Sequence, residues 1–258
     1  MEVKSAAFKS NARAALADAQ LQRALANLKR GFVQRRLEAA ARLPEFEGLR
    51  DQAKAIKDHT LAHLDFYLER FEEKVLETGG LVHWCRDAAE ARRTILSICR
   101  AAGARTVTKG KSMIAEEIAL NDYLEESGIE PVETDLGEYI IQLRHEAPSH
   151  IIAPAIHLTK EQVADSFRAA HGDLPSDRAL DEPPALLAEA RAKLRERFLA
   201  ADVGITGANM LIAETGSSVI VTNEGNGDLT QTLPRAHIVL ASLEKVVPTL
   251  EEIGRAHV

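Results

Sequence analysis

Between Ser10 and Leu43, the residues Leu16, Leu21, Leu25, Leu28, Phe32 and Leu37 recur near helical spacing among Ala, Arg and Gln. That periodicity predicts amphipathic helix. Leu43-Pro44 interrupts it, because proline disfavours helix in the residue before it. A second amphipathic run extends from about Gly48 to Leu76, and the Gly79-Gly80 pair ends it. This arm is polar enough to pack on a core or a partner rather than to build a core alone.

After the glycine pair the rhythm changes. LVHWC (81–85) reads as a strand, DAAEARRTILSICRAAG (87–103) as a helix and RTVTKG (105–110) as a strand. KSMIAEEIALNDYLEESG (111–128) reads as helical, PVETDL (131–136) as extended, GEYIIQLRH (137–145) as helical and SHIIAPAI (149–156) as extended. Such alternation with short turns predicts an α/β domain with a largely parallel sheet. HGDLPSDRALDEPP, His171 to Pro184, is a long polar loop between two helical runs, a length that suits a functional or mobile segment. The strands DVGIT, NMLIA, SSVIVT and AHIVLA then follow closely, without room for crossover helices, and so are expected to pair antiparallel. The expected fold class is α/β with a mixed, largely parallel sheet and an N-terminal helical arm. The arm is expected over 1–78 and the α/β domain over 79–252.

Composition narrows the function classes. With 258 residues, 45% of them hydrophobic, the chain can bury a sizeable core. A formal charge of −7 argues against a general binder of phosphate backbones, and 4% aromatics argue against base stacking. No nucleic-acid partner is expected. The two cysteines, Cys85 and Cys99, form no CxxC pair. They exclude a disulfide scaffold, a thiolate zinc site or an iron–sulfur cluster held by this chain alone. The polar N-terminus lacks a signal-peptide core, and no apolar run approaches the roughly 18 residues of a membrane span. A cytoplasmic protein is expected.

Candidate chemistry gathers in two places. In KGKSMIAEE, Lys109, Gly110, Lys111 and Ser112 lie where a strand gives way to a helix. Gly110 permits a tight turn and Ser112 can cap the helix, so an anion could bind there. A capped helix with solvated lysines is the plainer reading. The loop is not a Walker A sequence, because Arg105 stands where the first glycine is required. Glu116 and Glu117 suit the helix dipole without a functional role. His59 and His63 share a helix face, but Thr60 stands where a zinc-protease motif needs Glu. A solvated face is expected there, and His145, His150 and His157 read as polar strand-end residues. No metal site is expected.

The second place is ETGSSVIVTNEGNGDLTQTLPRAHIVL, Glu214 to Leu240, where small polar residues separate two apolar runs. Glu214, at a strand end beside the Thr215-Gly216 turn, is the candidate catalytic group, as nucleophile or base, or a plain backbone acceptor. Asn223, Glu224, Gly225, Asn226 and Arg235 can line a polar ligand. They can equally satisfy their own backbone through Asx turns. Serine-hydrolase elbows, Cys–His pairs and dinucleotide fingerprints are absent from the sequence.

TKGKSMIAEEIALNDYLEESGIEPVETDLGEYIIQL, PSHIIAPAIHLTKEQV and GITGANMLIAETGSSVIVTNEGNGDLTQTLPRAHIVLASLEKVVPT resemble the LUD-domain family over nearly the whole chain. Within it they are similar to the iron–sulfur subunits of bacterial lactate-oxidising complexes. The leading FVQRRLEAAARLPEFEGLRDQAKAIKDHTL shares the resemblance. It implies a fold of the ribose-phosphate isomerase, glucosamine-phosphate deaminase and CoA-transferase kind, whose members bind anionic substrates above the sheet. It also implies conversion of L-lactate to pyruvate, partner subunits of that complex, and two [4Fe–4S] clusters in a ferredoxin-like module absent from this sequence. ETG and NEGN belong to the resembling segments, so that loop is expected to be a site. Catalytic residues do not transfer with the resemblance. An isomerase- or acyl-transferase-like enzyme acting on an anionic small molecule, and a docking module, stand as alternatives. Residues 253–258 of EIGRAHV resemble the in-frame translation of a sequencing adapter and are expected to be non-native.

Overall fold

A computed structural model describes residues 5–149, 153–222 and 224–256. The N-terminal pattern forms α1 (Phe8–Ala17), α2 (Ala19–Leu28) and α3 (Gln34–Ala41), with a π-helical turn, Lys29–Val33, between the last two. Helix stops before Pro44, as expected. The second run divides at His63 into α4 (Phe46–Ala62) and α5 (Leu64–Glu77).

Helix α6 (Ala88–Ala101) begins at Asp87, whose carboxylate accepts the Glu90 N–H. The chain then runs through β1 (Thr106–Lys109), α7 (Met113–Glu117), α8 (Leu120–Glu126), β2 (Glu130–Glu133) and α9 (Leu136–Arg144). Helices α10 (Lys160–Ala170) and α11 (Pro183–Ala200) flank the long polar loop. The last part comprises β3 (Val203–Thr206), β4 (Met210–Ile212), β5 (Ser217–Val219), α12 (Asn226–Thr232), β6 (Ala236–Val239), β7 (Val246–Val247) and α13 (Ile253–Ala256).

The strands make two sheets. One is wholly parallel, in the order β2-β1-β3-β6; the other, β5-β4-β7, pairs β4 antiparallel with β5 and parallel with β7. The class is the expected α/β, and parallel pairing dominates. Helices cover both faces of the parallel sheet, as the short crossovers of such sheets require. On one face Val107, Val203 and Ile205 pack with Ile95, Leu96 and Cys99 of α6 and Leu120 and Leu124 of α8. On the other, Val132 joins Tyr139, Phe167, Leu186 and Phe198 of α9–α11.

The smaller sheet divides its residues by alternation. Leu211, Ala213 and Val246 pack with Leu64, Tyr67, Leu68 and Phe71 of α5, while Met210, Ile212 and Val247 pack with Val219 and Ile253. The last helix of the arm, α5, therefore finds its core partner within the chain. Gly216, with φ of 68°, turns directly against α5: a Cβ there would lie 2.5 Å from Val75 N.

Several local expectations fail for physical reasons. LVHWC is not a strand: it lacks a ladder partner, and Leu81 and Trp84 are 75% and 45% exposed. The expected single helix over 111–128 breaks at Ala119, which adopts φ of 49°. Of SHIIAPAI, residues 150–152, including His150, lie outside the described residues, and Pro154–Ile156 form turns rather than strand. Antiparallel pairing holds for β4 and β5 alone; β3 and β6 are parallel. Their crossover contains α12, inside the segment expected to be loop. Gly204 makes that possible, since a Cβ there would lie 1.8 Å from the Thr230 carbonyl oxygen.

Candidate functional site

In the parallel sheet, β2 lies on one side of β1 and β3 on the other. The loops leaving β1 and β3 therefore diverge at the carboxyl edge, where open α/β sheets place ligands. The first of these loops is Gly110-Lys111-Ser112. The Gly110 N–H donates to the Ile205 carbonyl at 2.8 Å, tying it to β3. Ser112 Oγ accepts the Ala115 N–H at 3.3 Å, the expected cap of α7.

The register of β1 with β2 sets Lys109 beside Glu133. Lys109 Nζ lies 2.7 Å from Glu133 Oε1, with the side chains 1% and 4% exposed. Asn121 Nδ2 donates to the same oxygen at 2.7 Å. Gln142 of α9 secures this edge strand: its Oε1 accepts the Glu133 N–H at 2.9 Å and its Nε2 donates to the Pro131 carbonyl at 2.7 Å. Thr134 Oγ1 donates to the Lys109 carbonyl at 2.9 Å.

Glu138, in the first turn of α9, joins the cluster from above. Burial, with Glu116 and Glu133 adding and Lys109 opposing, pushes its carboxyl up to about 8. Lys111 Nζ stands 4.0 Å from Glu138 Oε1. Asp135 caps α9 by accepting the Gly137 and Glu138 N–H groups. Three buried oxygens, Glu116 Oε1, Asn121 Oδ1 and Glu133 Oε2, have no protein donor. Glu224 belongs to the same crevice, since its carboxyl is held above the ordinary range by partial burial and by Asp135, with Lys111 opposing. Thr206 Oγ1 and His237 Nε2 share a 2.8 Å hydrogen bond beneath β3's end, and burial lowers the His237 imidazole's affinity for a proton.

Lys109, Gly110, Lys111, Ser112 and Glu224 thus come together. Gly225, at φ of 75°, begins α12, and Asn226 Oδ1 accepts the neighbouring Gly227 N–H. Asn223 lies outside the described residues. The other candidates sit elsewhere. Glu214 is exposed at the end of β4 in the smaller sheet; its Oε2 accepts the Leu250 N–H at 3.4 Å and its own N–H donates to Pro248. Thr215 Oγ1 donates to Ser217 Oγ, and Gly216 seats on α5. Arg235 precedes β6 at the amino edge, opposite Lys109, where it pairs with Asp202 at 3.3 Å.

Sequence reasoning missed Glu133, Glu138 and Asn121, and set Glu116 aside as a dipole residue. None carried a local signal: Glu138 sits three residues beyond the Asp135 cap, a position where acids are common. Of the histidines, His59 Nε2 meets Tyr67 Oη at 2.9 Å on an exposed face, and His157 bonds Ser149 and Glu146. Among the described residues, no group of three His, Cys, Asp or Glu is placed to hold a metal ion. No helix among them is long and apolar enough to cross a membrane. Chemically, the crevice offers a lysine, hydrogen-bond acceptors lacking donors, and a carboxyl able to hold or release a proton near neutrality.

Comparison with known proteins agrees over most of the chain. Residues 68–256 match the LUD domain. Lactate utilization protein B of Bacillus pumilus is 42% identical over 98% of this chain and 53% of its own length. Lactate utilization protein B of Bacillus subtilis is 42% identical over 98% of this chain and 52% of its own length. The Escherichia coli protein named "Uncharacterized electron transport protein YkgF" is 41% identical over 95% of this chain and 51% of its own length. The chain spans about half the length of the curated relatives it matches. No solved structure matches. Identity at this level across nearly all 258 residues, with the family model covering both sheets and α6 to α13, decides the assignment: the chain belongs to the LUD domain family.

Proposed function

We propose that the chain serves lactate utilisation as the LUD domain of an electron-transfer subunit in a complex that oxidises L-lactate to pyruvate. The observation that carries this reading is the 42% identity over 98% of the chain with proteins named for lactate utilisation. The electron-transport name of the Escherichia coli relative supports the redox role. The partners are then the other subunits of that complex, and the setting is the cytoplasm.

Electron transfer of this kind uses two [4Fe–4S] clusters, each needing four thiolates. This chain does not fit that group. Its two cysteines are Cys85, exposed, and Cys99, fully buried with a thiol that burial pushes up to about 11. The clusters in this reading belong to polypeptide outside these 258 residues.

The test is a chimera in which this chain replaces the LUD half of lactate utilization protein B in Bacillus subtilis. Growth on L-lactate should be restored. A stable chimera that fails to support growth on lactate, while growth on glucose is normal, overturns the reading.

One observation favours a second reading, an isomerase- or acyl-transferase-like enzyme acting alone on an anionic small molecule. It is the ionisable cluster of Lys109, Glu133 and Glu138 at the sheet's carboxyl edge. That reading requires the isolated chain to bind sugar phosphates or CoA esters saturably. Calorimetry showing no heat with either class removes it.

A further inference from the structure

Two lysines and three carboxyl groups meet at the carboxyl edge: Lys109 from β1, Lys111 from the following loop, Glu116 from α7, Glu133 from β2 and Glu138 from α9. Fully ionised, the cluster carries one negative charge too many for its buried position, so it favours one bound proton. Glu224, in the loop before α12, feels the charges of both Asp135 and Lys111, and the two acids add to the acidic surplus. Glu116 Oε1, Glu133 Oε2 and Asn121 Oδ1 are buried without a protein donor. Glu133 itself is 3% exposed. Buried acceptors of this kind are costly unless a donor reaches them.

We propose that this cluster is a proton-coupled binding site for a small hydroxy carboxylate, with Lys111 pairing the ligand's carboxylate and Glu138, beside Glu116, holding the proton. The inference rests on the lactate reading for its ligand class and adds the residues and the proton. A ligand hydroxyl supplies a donor to one of the orphaned oxygens, and a 2-oxo acid supplies none. The ligand enters as an anion, Glu138 takes one proton from solvent wherever it was ionised, and no bond of the ligand breaks. Added negative charge beside Lys111 strengthens the hold of Glu138 on that proton, so binding and protonation reinforce each other.

The experiment is calorimetric titration of the full 258-residue chain with L-lactate, pyruvate and propionate between about pH 7 and pH 9. L-Lactate should bind at least about tenfold more tightly than the other two acids, because only it brings the hydroxyl donor. Its affinity should fall toward tenfold per pH unit above about 8, where Glu138 ionises. Glu138→Gln, an isosteric neutral change, should make that affinity flat with pH. Lys111→Met should lose lactate binding while one 13C-labelled glutamate carboxyl still titrates at or above about 8, which reports that the cluster has folded. Lactate affinity independent of pH in the unmodified chain, or no glutamate carboxyl titrating above about pH 6, overturns the proposal. Failure of all three acids to bind overturns the ligand assignment, and the chimera's growth on lactate then decides the broader reading separately.

Discussion

Lys109 and Glu133 stand opposite one another in the β1–β2 register and close a buried 2.7 Å ion pair at the sheet's carboxyl edge. Neither lies near the other in sequence, so the pair exists only because β2 adds in parallel beside β1. A buried pair is a weak source of net stability, but removing one partner strands a charge.

Lys109→Met should therefore destabilise the chain by about 3–5 kcal/mol, and Lys109→Met with Glu133→Leu should recover most of that loss. Urea unfolding of the two variants measures it. Equal destabilisation by the single and double changes would show that the lysine's packing, not its charge, matters.

Glu138 makes stability depend on pH. Its folded value, about 8, lies above its ordinary 4.5, so the folded chain binds more protons than the unfolded one across that window. Stability from this group is greatest below the unfolded value and declines as pH rises toward about 8, levelling beyond it. The difference in stability between the parent chain and Glu138→Gln should shrink as pH falls and vanish below the lower value. A difference constant with pH would assign the effect to another group.

The long loop 171–182 is held by Glu189, which takes a 2.7 Å bond from Arg178 Nε and shares another of 2.7 Å with His171 Nδ1. His171 Nε2 in turn meets Tyr139 Oη at 2.8 Å. Arg178 first, and His171 after it, hold the Glu189 carboxyl below its ordinary range. Its contribution is present above the unfolded value and is lost as pH falls through the folded one. Glu189→Ala should cost roughly 3–5 kcal/mol and speed proteolytic cutting within 172–182. An unchanged cutting rate would mean that the loop is held by other contacts.

Cys85 is exposed, while Cys99 is fully buried with a raised thiol. A thiol-reactive dye should label one equivalent rapidly and a second only after denaturation, because the thiolate is the reactive form. Two rapid equivalents from the native chain would contradict the packing of α6 against the parallel sheet.

Local signals reached most elements but not their partners. Gly79-Gly80, Asp87 and Pro44 mark boundaries in the chain's own chemistry, and the strands ending at Lys109 and Thr206 read from their apolar runs. LVHWC has a strand's composition, yet no neighbour offers it a ladder. Asn226–Thr232 reads as loop because its residues are small and polar; it is helical because Gly204 lets that backbone rest on β3. Lys109 and Lys111 were legible from the glycine between them and the Ser112 cap, but Lys109 closes β1 and is buried rather than solvated. Glu133, Glu138 and Glu116 were not, since only the strand order brings acids from three separate elements to one place.

The contact of α5 with the smaller sheet carries a consequence for synthesis. Leu64, Tyr67, Leu68 and Phe71 leave the ribosome well before Leu211, Ala213 and Val246, against which they pack. At about 5–20 residues per second, their apolar face waits on the order of ten seconds or more for its partners. During that interval this face of α5 is open to chaperones, and slowing translation ahead of residue 211 should lengthen its stay on them.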